Sequence, residues 1–225
     1  MQNAAFRAAG LDGWSYELFD VAPEDLPAAV AALRLPGRGG ANVTIPHKLA
    51  VIPYLDELDE VGEKVGAVNF IRRDGERLVG GNTDVAGIRA ALDEVGWKGG
   101  RALLLGRGGS ARAAAVALEG SEVISVTRDD WERRGALSRE SDLVVNCTPV
   151  GRDGEAVIRP ADLPRQAVID LVYARGGTPI VASARAAGLA VADGWAVLLA
   201  QGAASFTGWT SAPAPLAAMR RALTT

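Results

Sequence analysis

A glycine-rich turn near the middle of the chain contains the first candidate ligand-binding residues. The turn consists of Gly106, Arg107, Gly108, Gly109 and Ser110. With Ala111 it forms the pattern G-x-G-x-x-A, in which the glycines allow a tight turn and a close approach of pyrophosphate to the backbone. Free N–H groups at the start of the following helix would bind phosphate. The turn predicts a dinucleotide cofactor, and the alternative is a glycine-rich turn without a ligand.

The ribose of such a cofactor should meet the end of the next strand, where Thr127, Arg128 and Asp129 stand. An acidic residue at this place binds the ribose of NAD, whereas an arginine binds the 2′-phosphate of NADP. Arg128 favours NADP, and Asp129 keeps NAD open because its charge would repel that phosphate. The alternative is a solvated helix start that is capped by Asp129 or Asp130.

A second polar cluster contains the candidate for acid–base chemistry. Asn42 and Thr44 alternate along a short predicted strand and therefore point to one face, and Lys48 follows at the start of a predicted helix. A lysine that loses solvation in a pocket can exchange protons near neutral pH. His47 is the single histidine, but adjacent side chains rarely converge on one substrate, so Lys48 is preferred. The alternative for Lys48 is an ordinary surface lysine.

Further polar residues stand in apolar surroundings. Asp84 precedes a predicted helix, where it could cap the helix or pair with Lys48 and fix the ammonium group. Asn69 and Gln201 could each offer a donor and an acceptor to substrate hydroxyls, and the alternative is burial with local partners. Cys147 is predicted to be a small core residue, because no second histidine is present to act as its base.

The apolar pattern predicts an α/β protein with two domains. Strands are predicted at 16–21, 41–45, on both sides of Asp74-Gly75 as a hairpin, and at 102–105, 122–126, 143–147, 168–172 and 189–192. Helices are predicted at 25–35, 86–95, 111–118, 178–187 and from 200 onwards with a break at 211–215. Strands that alternate with helices are typical of parallel βαβ units. Residues 1–84 with 194–225 are interpreted as a mixed-sheet, substrate-binding catalytic domain. Residues 85–193 are interpreted as a doubly wound, Rossmann-type domain that binds the dinucleotide.

Composition and charge exclude several classes of protein. The chain has 225 residues and a net charge of −3, whereas nucleic-acid-binding proteins usually have a basic excess. No apolar run reaches the roughly 18 residues that a membrane helix needs, and the first residues do not resemble a signal peptide. One cysteine and one histidine argue against a zinc site, and no metal is predicted. The expected protein is cytoplasmic, a monomer or homodimer, with a small-molecule substrate.

Taken together, the motifs resemble those of shikimate dehydrogenases. The matching segments are NVTIPHK at 42–48, GAVN at 66–69, GNTDVAG at 81–87, GRGGSAR at 106–112, NCTPVG at 146–151 and DLVY at 170–173. The Thr-Pro pair at 178–179 and Gln201 in its apolar helix match as well. Their order and spacing agree over nearly the whole chain, so the combination is far more specific than the glycine-rich turn alone.

The resemblance implies an activity and a set of site residues. The activity is NADP-linked, reversible reduction of 3-dehydroshikimate to shikimate, a step of chorismate biosynthesis towards the aromatic amino acids. The implied catalytic pair is Lys48 and Asp84. The substrate would meet that pair and Asn42, Thr44, Asn69, Tyr173 and Gln201. The implied cofactor-binding residues are Gly106, Arg107, Gly108, Gly109, Ser110, Thr127, Arg128, Leu171 and Gly194.

The resemblance is incomplete at the amino-terminal end. Members of this family open with a strand and a Ser-x-Ser motif before a His-Asn pair, and Gln2-Asn3 stands where that pair is expected. Those serines bind the substrate carboxylate, so a non-catalytic NADP-binding remnant is one alternative function. Without the strand, unpaired strand edges are expected in the first domain. An NAD-linked quinate/shikimate dehydrogenase and an aminoshikimate relative are further alternatives.

Overall fold

The computed structural model describes residues 1–224, which form two compact units. The first unit contains Met1–Thr83 and the chain from Leu199 onwards, and the second contains Asp84–Leu198. The predicted boundaries lay at 84/85 and 193/194, whereas the structure assigns Asp84 and residues 194–198 to the second unit. They belong to two helices, one beginning at Asp84 and one at Gly194, that start in this unit. Thr225, the end of the predicted range, lies outside the described residues.

Before Asp84, the first unit contains short helices and a small mixed sheet. Its elements are α1 (Gln2–Ala8), α2 (Leu26–Ala32), β1 (Gly40–Asn42), β2 (Glu57–Leu58), α3 (Glu60–Val65), β3 (Phe70–Asp74) and β4 (Arg77–Gly81). The strand order is β1-β3-β4-β2, in which β3 pairs antiparallel with β1 and β4, and β2 pairs parallel with β4. Leu26 and Val30 of α2 are buried against Ile71 and Leu78 of the sheet, so α2 covers one face of this sheet.

The second unit alternates strands and helices. Its elements are α4 (Asp84–Glu94), β5 (Arg101–Leu105), α5 (Gly109–Ala117), β6 (Glu122–Val126), α6 (Arg134–Glu140), β7 (Leu143–Asn146), β8 (Ala167–Asp170), α7 (Pro179–Ala186) and β9 (Ala190–Ala192). All strand pairs are parallel, in the order β6-β5-β7-β8-β9. The predicted doubly wound sheet is confirmed. Parallel strands bring their carboxyl ends to one edge of the sheet, which is where such folds bind ligands.

Two helices complete the chain, α8 (Gly194–Thr210) and α9 (Leu216–Thr224). The break between them falls where proline-rich residues 211–215 predict it, although α8 begins six residues before the predicted start at Ala200. From Leu199 onwards α8 packs in the first unit, where Phe206 and Met219 form an apolar cluster with Phe6 of α1. The Gln2 side chain donates a hydrogen bond of 2.9 Å to the Gly202 carbonyl, which ties α1 to α8.

Two local predictions about strands and turns are wrong. Residues 16–21 are not a strand. The Asn3 side chain forms hydrogen bonds with both the N–H and the carbonyl of Tyr16, in place of a neighbouring strand. The hairpin between β3 and β4 exists, but Asp74 pairs with Arg77, so the turn residues are Gly75 and Glu76. Gly75 has φ +62°, which places glycine at the first turn position, as two-residue hairpins favour. Across residues 1–224, no helix has the length and apolarity to cross a bilayer.

Candidate active site

The first unit holds a buried array of polar side chains that is centred on Asn69 and Thr83. Asn69 directly precedes β3, and its side-chain oxygen accepts hydrogen bonds from the Thr83 N–H at 2.7 Å and from the Thr83 hydroxyl at 3.2 Å. Asn82 donates to the Ala67 carbonyl at 2.8 Å. These bonds link the segment before β3 to the segment after β4, so the hairpin holds both segments side by side.

Helix α8 and strand β1 contribute the rest of this array. Gln201 and Ser205 are four residues apart and share a helix face, and the Thr83 hydroxyl lies 3.4 Å from Gln201 Oε1 and 3.1 Å from Ser205 Oγ. Asn42 donates to Ser205 Oγ at 3.0 Å and to the Asn69 carbonyl at 3.1 Å. The structure therefore brings Asn42, Asn69 and Gln201 into one network, three of the predicted substrate-binding residues.

The array contains residues that the sequence reasoning missed. Tyr16 donates from its hydroxyl to Asn42 Oδ1 at 3.1 Å, and burial raises the pKa of this hydroxyl, which keeps it protonated. Ser205 lies one helical turn after Gln201, and that spacing could have identified it. Nothing in the local sequence around Tyr16 indicates its contact, because the residue reaches Asn42 from an extended segment far along the chain.

Lys48 lies in a series of turns after β1 and not in a helix, so the predicted helix start is wrong. Pro46 and Pro53 lack backbone N–H groups, and the segment makes isolated turn bonds, such as His47 N–H to the Thr44 carbonyl at 2.8 Å. Lys48 is half-buried, and Thr44 is exposed. The His47 ring nitrogen Nε2 lies 2.7 Å from the Val21 carbonyl. His47 therefore anchors the preceding loop.

In the second unit, the glycine-rich turn lies between β5 and α5 at the carboxyl edge of the parallel sheet. Gly106 has φ +112°, and a side chain there would also crowd Thr148 and Cys147. Gly108 precedes α5 without a side-chain cap, and a Cβ atom at Gly108 would meet no heavy atom within 4 Å. The helix start thus presents backbone N–H groups to open space, and the turn fits the pyrophosphate of a dinucleotide.

Asp84 belongs to the same unit and touches this turn. It is buried and is the first residue of α4, rather than the capping residue before the helix. The Ser110 hydroxyl donates to Asp84 Oδ2 at 3.3 Å. This bond joins the predicted catalytic carboxylate to a predicted cofactor-binding residue.

In the loop after β6, one acidic residue caps the following helical turn and another is exposed to solvent. Thr127 and Asp130 form a reciprocal cap, in which the Thr127 N–H donates to Asp130 at 2.8 Å. Asp129 instead lies 3.5 Å from Arg107 of the glycine-rich turn, and both side chains are exposed. Arg107 therefore partly offsets the charge of Asp129, which is next to Arg128 in the sequence.

The loop after β8 carries Leu171 and Tyr173 and is held by the buried carboxylate of Asp170. This carboxylate accepts hydrogen bonds from the Thr178 hydroxyl at 2.5 Å, the Asn146 amide at 2.9 Å and the Val172 N–H at 3.1 Å. Burial raises the pKa of Asp170, and these bonds oppose that rise. Asp170 was assigned no role from the sequence, although a carboxylate at the end of a buried strand indicates a structural hydrogen-bonding residue.

Gly194 lies against the same loop. A Cβ atom at Gly194 would fall 2.5 Å from the carbonyl carbon of Val172 and 2.6 Å from the Tyr173 nitrogen. Only glycine allows this approach, which places the start of α8 directly on the peptide before Tyr173. Cys147, after β7, points its Sγ at the Ser110 carbonyl at 3.7 Å. In the part of the chain that the structure describes, no group of three or more His, Cys, Asp or Glu residues could hold a metal ion.

Comparisons with known proteins identify the family. The model of the shikimate dehydrogenase substrate-binding domain matches residues 1–71, and that of the shikimate 5'-dehydrogenase C-terminal domain matches residues 194–224. A relative from Moorella thermoacetica, named shikimate dehydrogenase (NADP(+)), is 43% identical over 99% of this chain and 86% of its own length. The chain belongs to the shikimate dehydrogenase family. A shikimate dehydrogenase (NADP(+)) from Geobacter metallireducens is 40% identical over 98% of this chain and 89% of its own.

Solved shikimate dehydrogenases share the fold. The Thermus thermophilus enzyme, in complex with NADP(H) and shikimate, superposes with a TM-score of 0.88 at 34% identity and covers 99% of this chain and 92% of its own. The Listeria monocytogenes enzyme, in complex with shikimate and NAD, gives a TM-score of 0.82 at 28% identity and covers 99% and 90%. The predicted family and fold class are confirmed.

Proposed function

We propose that this chain catalyses the reversible, NADP-dependent reduction of 3-dehydroshikimate to shikimate, a step towards chorismate and the aromatic amino acids. The observation that carries the proposal is the 43% identity, over 99% of the chain, to a protein named shikimate dehydrogenase (NADP(+)). The chemistry of the two units supports it. One unit holds a polar array suited to a hydroxylated acid, and the other holds a phosphate-binding turn on a parallel sheet.

Lys48 and Asp84 are proposed as the catalytic pair. Bound NADPH supplies a hydride to the carbonyl carbon. The Lys48 ammonium gives its proton to the carbonyl oxygen, so that the ketone becomes an alcohol, and in the reverse direction it takes that proton back. The Asp84 carboxylate orients the ammonium group and compensates its charge. Ser110 donates to Asp84 and so fixes the carboxylate that Lys48 would use.

The substrate is proposed to contact amide, hydroxyl and charged side chains. Amide side chains of Asn42, Asn69 and Gln201 can donate to and accept from ring hydroxyls. Their mutual bonds through Thr83 and Ser205 hold them in fixed orientations. The remaining proposed substrate contacts are Thr44, Lys48, Asp84 and Tyr173.

The cofactor is proposed to lie on the second unit. Its pyrophosphate would take the N–H groups of Gly106–Ser110, its 2′-phosphate would pair with Arg128 beside Thr127, and its nicotinamide would lie near Leu171 and Gly194. The Arg107–Asp129 pair supports NADP, because Arg107 partly offsets the charge of a carboxylate that would repel the 2′-phosphate. NAD use is the alternative, and the Listeria relative was solved with NAD. A cytoplasmic monomer or homodimer stays a prediction.

The proposal is tested by mixing the purified protein with shikimate and NADP and following nicotinamide reduction. Parallel assays with quinate and with NAD identify the competing substrate and cofactor. Turnover with shikimate and NADP that exceeds the other combinations supports the proposal. NADP binding without turnover of any of these substrates would instead indicate the non-catalytic alternative.

A further inference from the structure

Trp195 lies beside the loop that carries Tyr173, within the second unit. The two rings have centroids 5.5 Å apart at an interplanar angle of 53°. The indole Nε1–H of Trp195 donates to the Ala174 carbonyl at 3.2 Å. Trp195 thus touches the side chain of Tyr173 and the backbone of the residue that follows it.

The backbone on the other side of Tyr173 is held as well. The Val172 N–H donates to Asp170, and Gly194 packs so closely against the peptide between Val172 and Tyr173 that a Cβ atom there would clash with it. The Ala174 carbonyl also accepts from the Gly177 N–H at 3.0 Å, which closes a turn. Tyr173 itself remains 46% exposed, so part of its side chain is accessible from solvent while its backbone makes these contacts.

Trp195 is itself anchored at the start of α8. Its backbone N–H donates to Asp193 Oδ1 at 3.2 Å, and Asp193 pairs with Arg185 of α7 at 2.9 Å. The indole therefore projects from an anchored helix start, and it contacts the loop both through its ring and through its N–H. Both contacts are made to the loop and neither is made to the glycine-rich turn.

We infer that Trp195 is a positioning residue that sets the orientation of Tyr173 towards the substrate. The inference rests on the proposed function, in which Tyr173 contacts shikimate. Because Trp195 acts through Tyr173, its loss should weaken use of the substrate more than use of the cofactor.

The test compares Trp195→Phe, which keeps a ring but removes the N–H, with Trp195→Leu, which removes both. Trp97→Phe is the matched control, because Trp97 is also half-buried in the second unit and donates from Nε1 to Ser121 at 3.2 Å. Losing one such hydrogen bond should raise the shikimate KM about three- to tenfold in Trp195→Phe, and more in Trp195→Leu. The KM for NADP should change less, and Trp97→Phe should leave both constants unchanged.

A double variant separates positioning from general destabilisation. In a Tyr173→Ala background, Trp195→Phe should have no further effect on the shikimate KM, since contacting residues are not additive. Additive effects, or equal increases in both KM values, would overturn the inference.

Amide hydrogen exchange of residues 172–178 gives a readout that does not depend on turnover. Trp195→Phe should accelerate exchange there, and Trp97→Phe should not. If the wild-type protein fails to oxidise shikimate, the proposed function fails, but unchanged exchange in Trp195→Phe would overturn the positioning role by itself.

Discussion

Replacing Thr178 by valine tests whether Asp170 is a charged, buried anchor of the loop that bears Tyr173. Thr178 is 1% exposed, and its hydroxyl donates to the fully buried Asp170 carboxylate at 2.5 Å. Valine keeps the shape but removes one of the carboxylate's hydrogen-bond donors. A hydrogen bond to a charged group is worth about 1.5–3 kcal/mol, so Thr178→Val should lower the free energy of unfolding by about 2 kcal/mol at neutral pH.

The pH dependence distinguishes this cause from simple loss of packing. When Asp170 is protonated at low pH, the lost bond is one between neutral groups, and the cost should fall to about 1 kcal/mol. Thr148→Val is the matched control, because the Thr148 hydroxyl donates at 2.7 Å to the neutral Asn146 side chain of the same network. That variant should cost about 1 kcal/mol at every pH.

Urea unfolding followed by circular dichroism, at several pH values between 4 and 8, measures both variants. The reasoning is refuted if Thr178→Val costs no more than Thr148→Val at neutral pH. It is also refuted if the cost of Thr178→Val is the same at all pH values, since the carboxylate would then not be the charged partner.

Three further predictions concern catalysis, cofactor binding and pH. Lys48→Ala should lower turnover of shikimate by about 10²–10⁴-fold while the Kd for NADP stays within a few fold, because the residue moves a proton; equal loss of both, by kinetics and titration calorimetry, would contradict this role. Gly108→Ala should leave the unfolding midpoint unchanged, since a Cβ there meets open space, but should weaken NADP binding; equal affinity would move the pyrophosphate elsewhere. Burial raises the pKa of Asp170 above its ordinary 3.8, so the folded state holds the proton to higher pH than the unfolded chain. The contribution of Asp170 to the free energy of unfolding should therefore decrease as the pH rises from 3.8 through its raised pKa. In urea titrations, the Asp170→Asn variant should not show this decrease.

Local patterns predicted most of the second unit, although they missed α6 (Arg134–Glu140). The strand predicted at 122–126 is β6 as observed, and the glycine-rich turn opens a helix, because buried apolar runs and glycine spacing are properties of neighbouring residues. The same reasoning failed at residues 16–21, which were interpreted as a short strand. A strand needs a partner with free backbone groups, and here the Asn3 side chain takes the bonds of Tyr16.

For the candidate site, the sequence identified the predicted binding residues better than the residues that hold them in place. Asn69 and Gln201 were singled out as polar residues in apolar surroundings, and both are in the array of the first unit. Tyr16 and Trp195 were missed, because both contact residues that are distant in sequence. Tyr16 donates to Asn42, and Trp195 contacts Tyr173 and Ala174. Such partners are properties of the tertiary structure and leave no periodic signal.

The discontinuity of the first unit has a consequence for synthesis of the chain. Phe6 in α1 is buried against Phe206 of α8 and Met219 of α9, so its packing partners are synthesised long after it. The second unit is continuous from Asp84 to Leu198, whereas residues 1–83 form their unit with helices that are synthesised after the second unit. At ordinary rates of translation that interval is on the order of ten seconds. During it the apolar face of α1 lacks these partners and is open to chaperones.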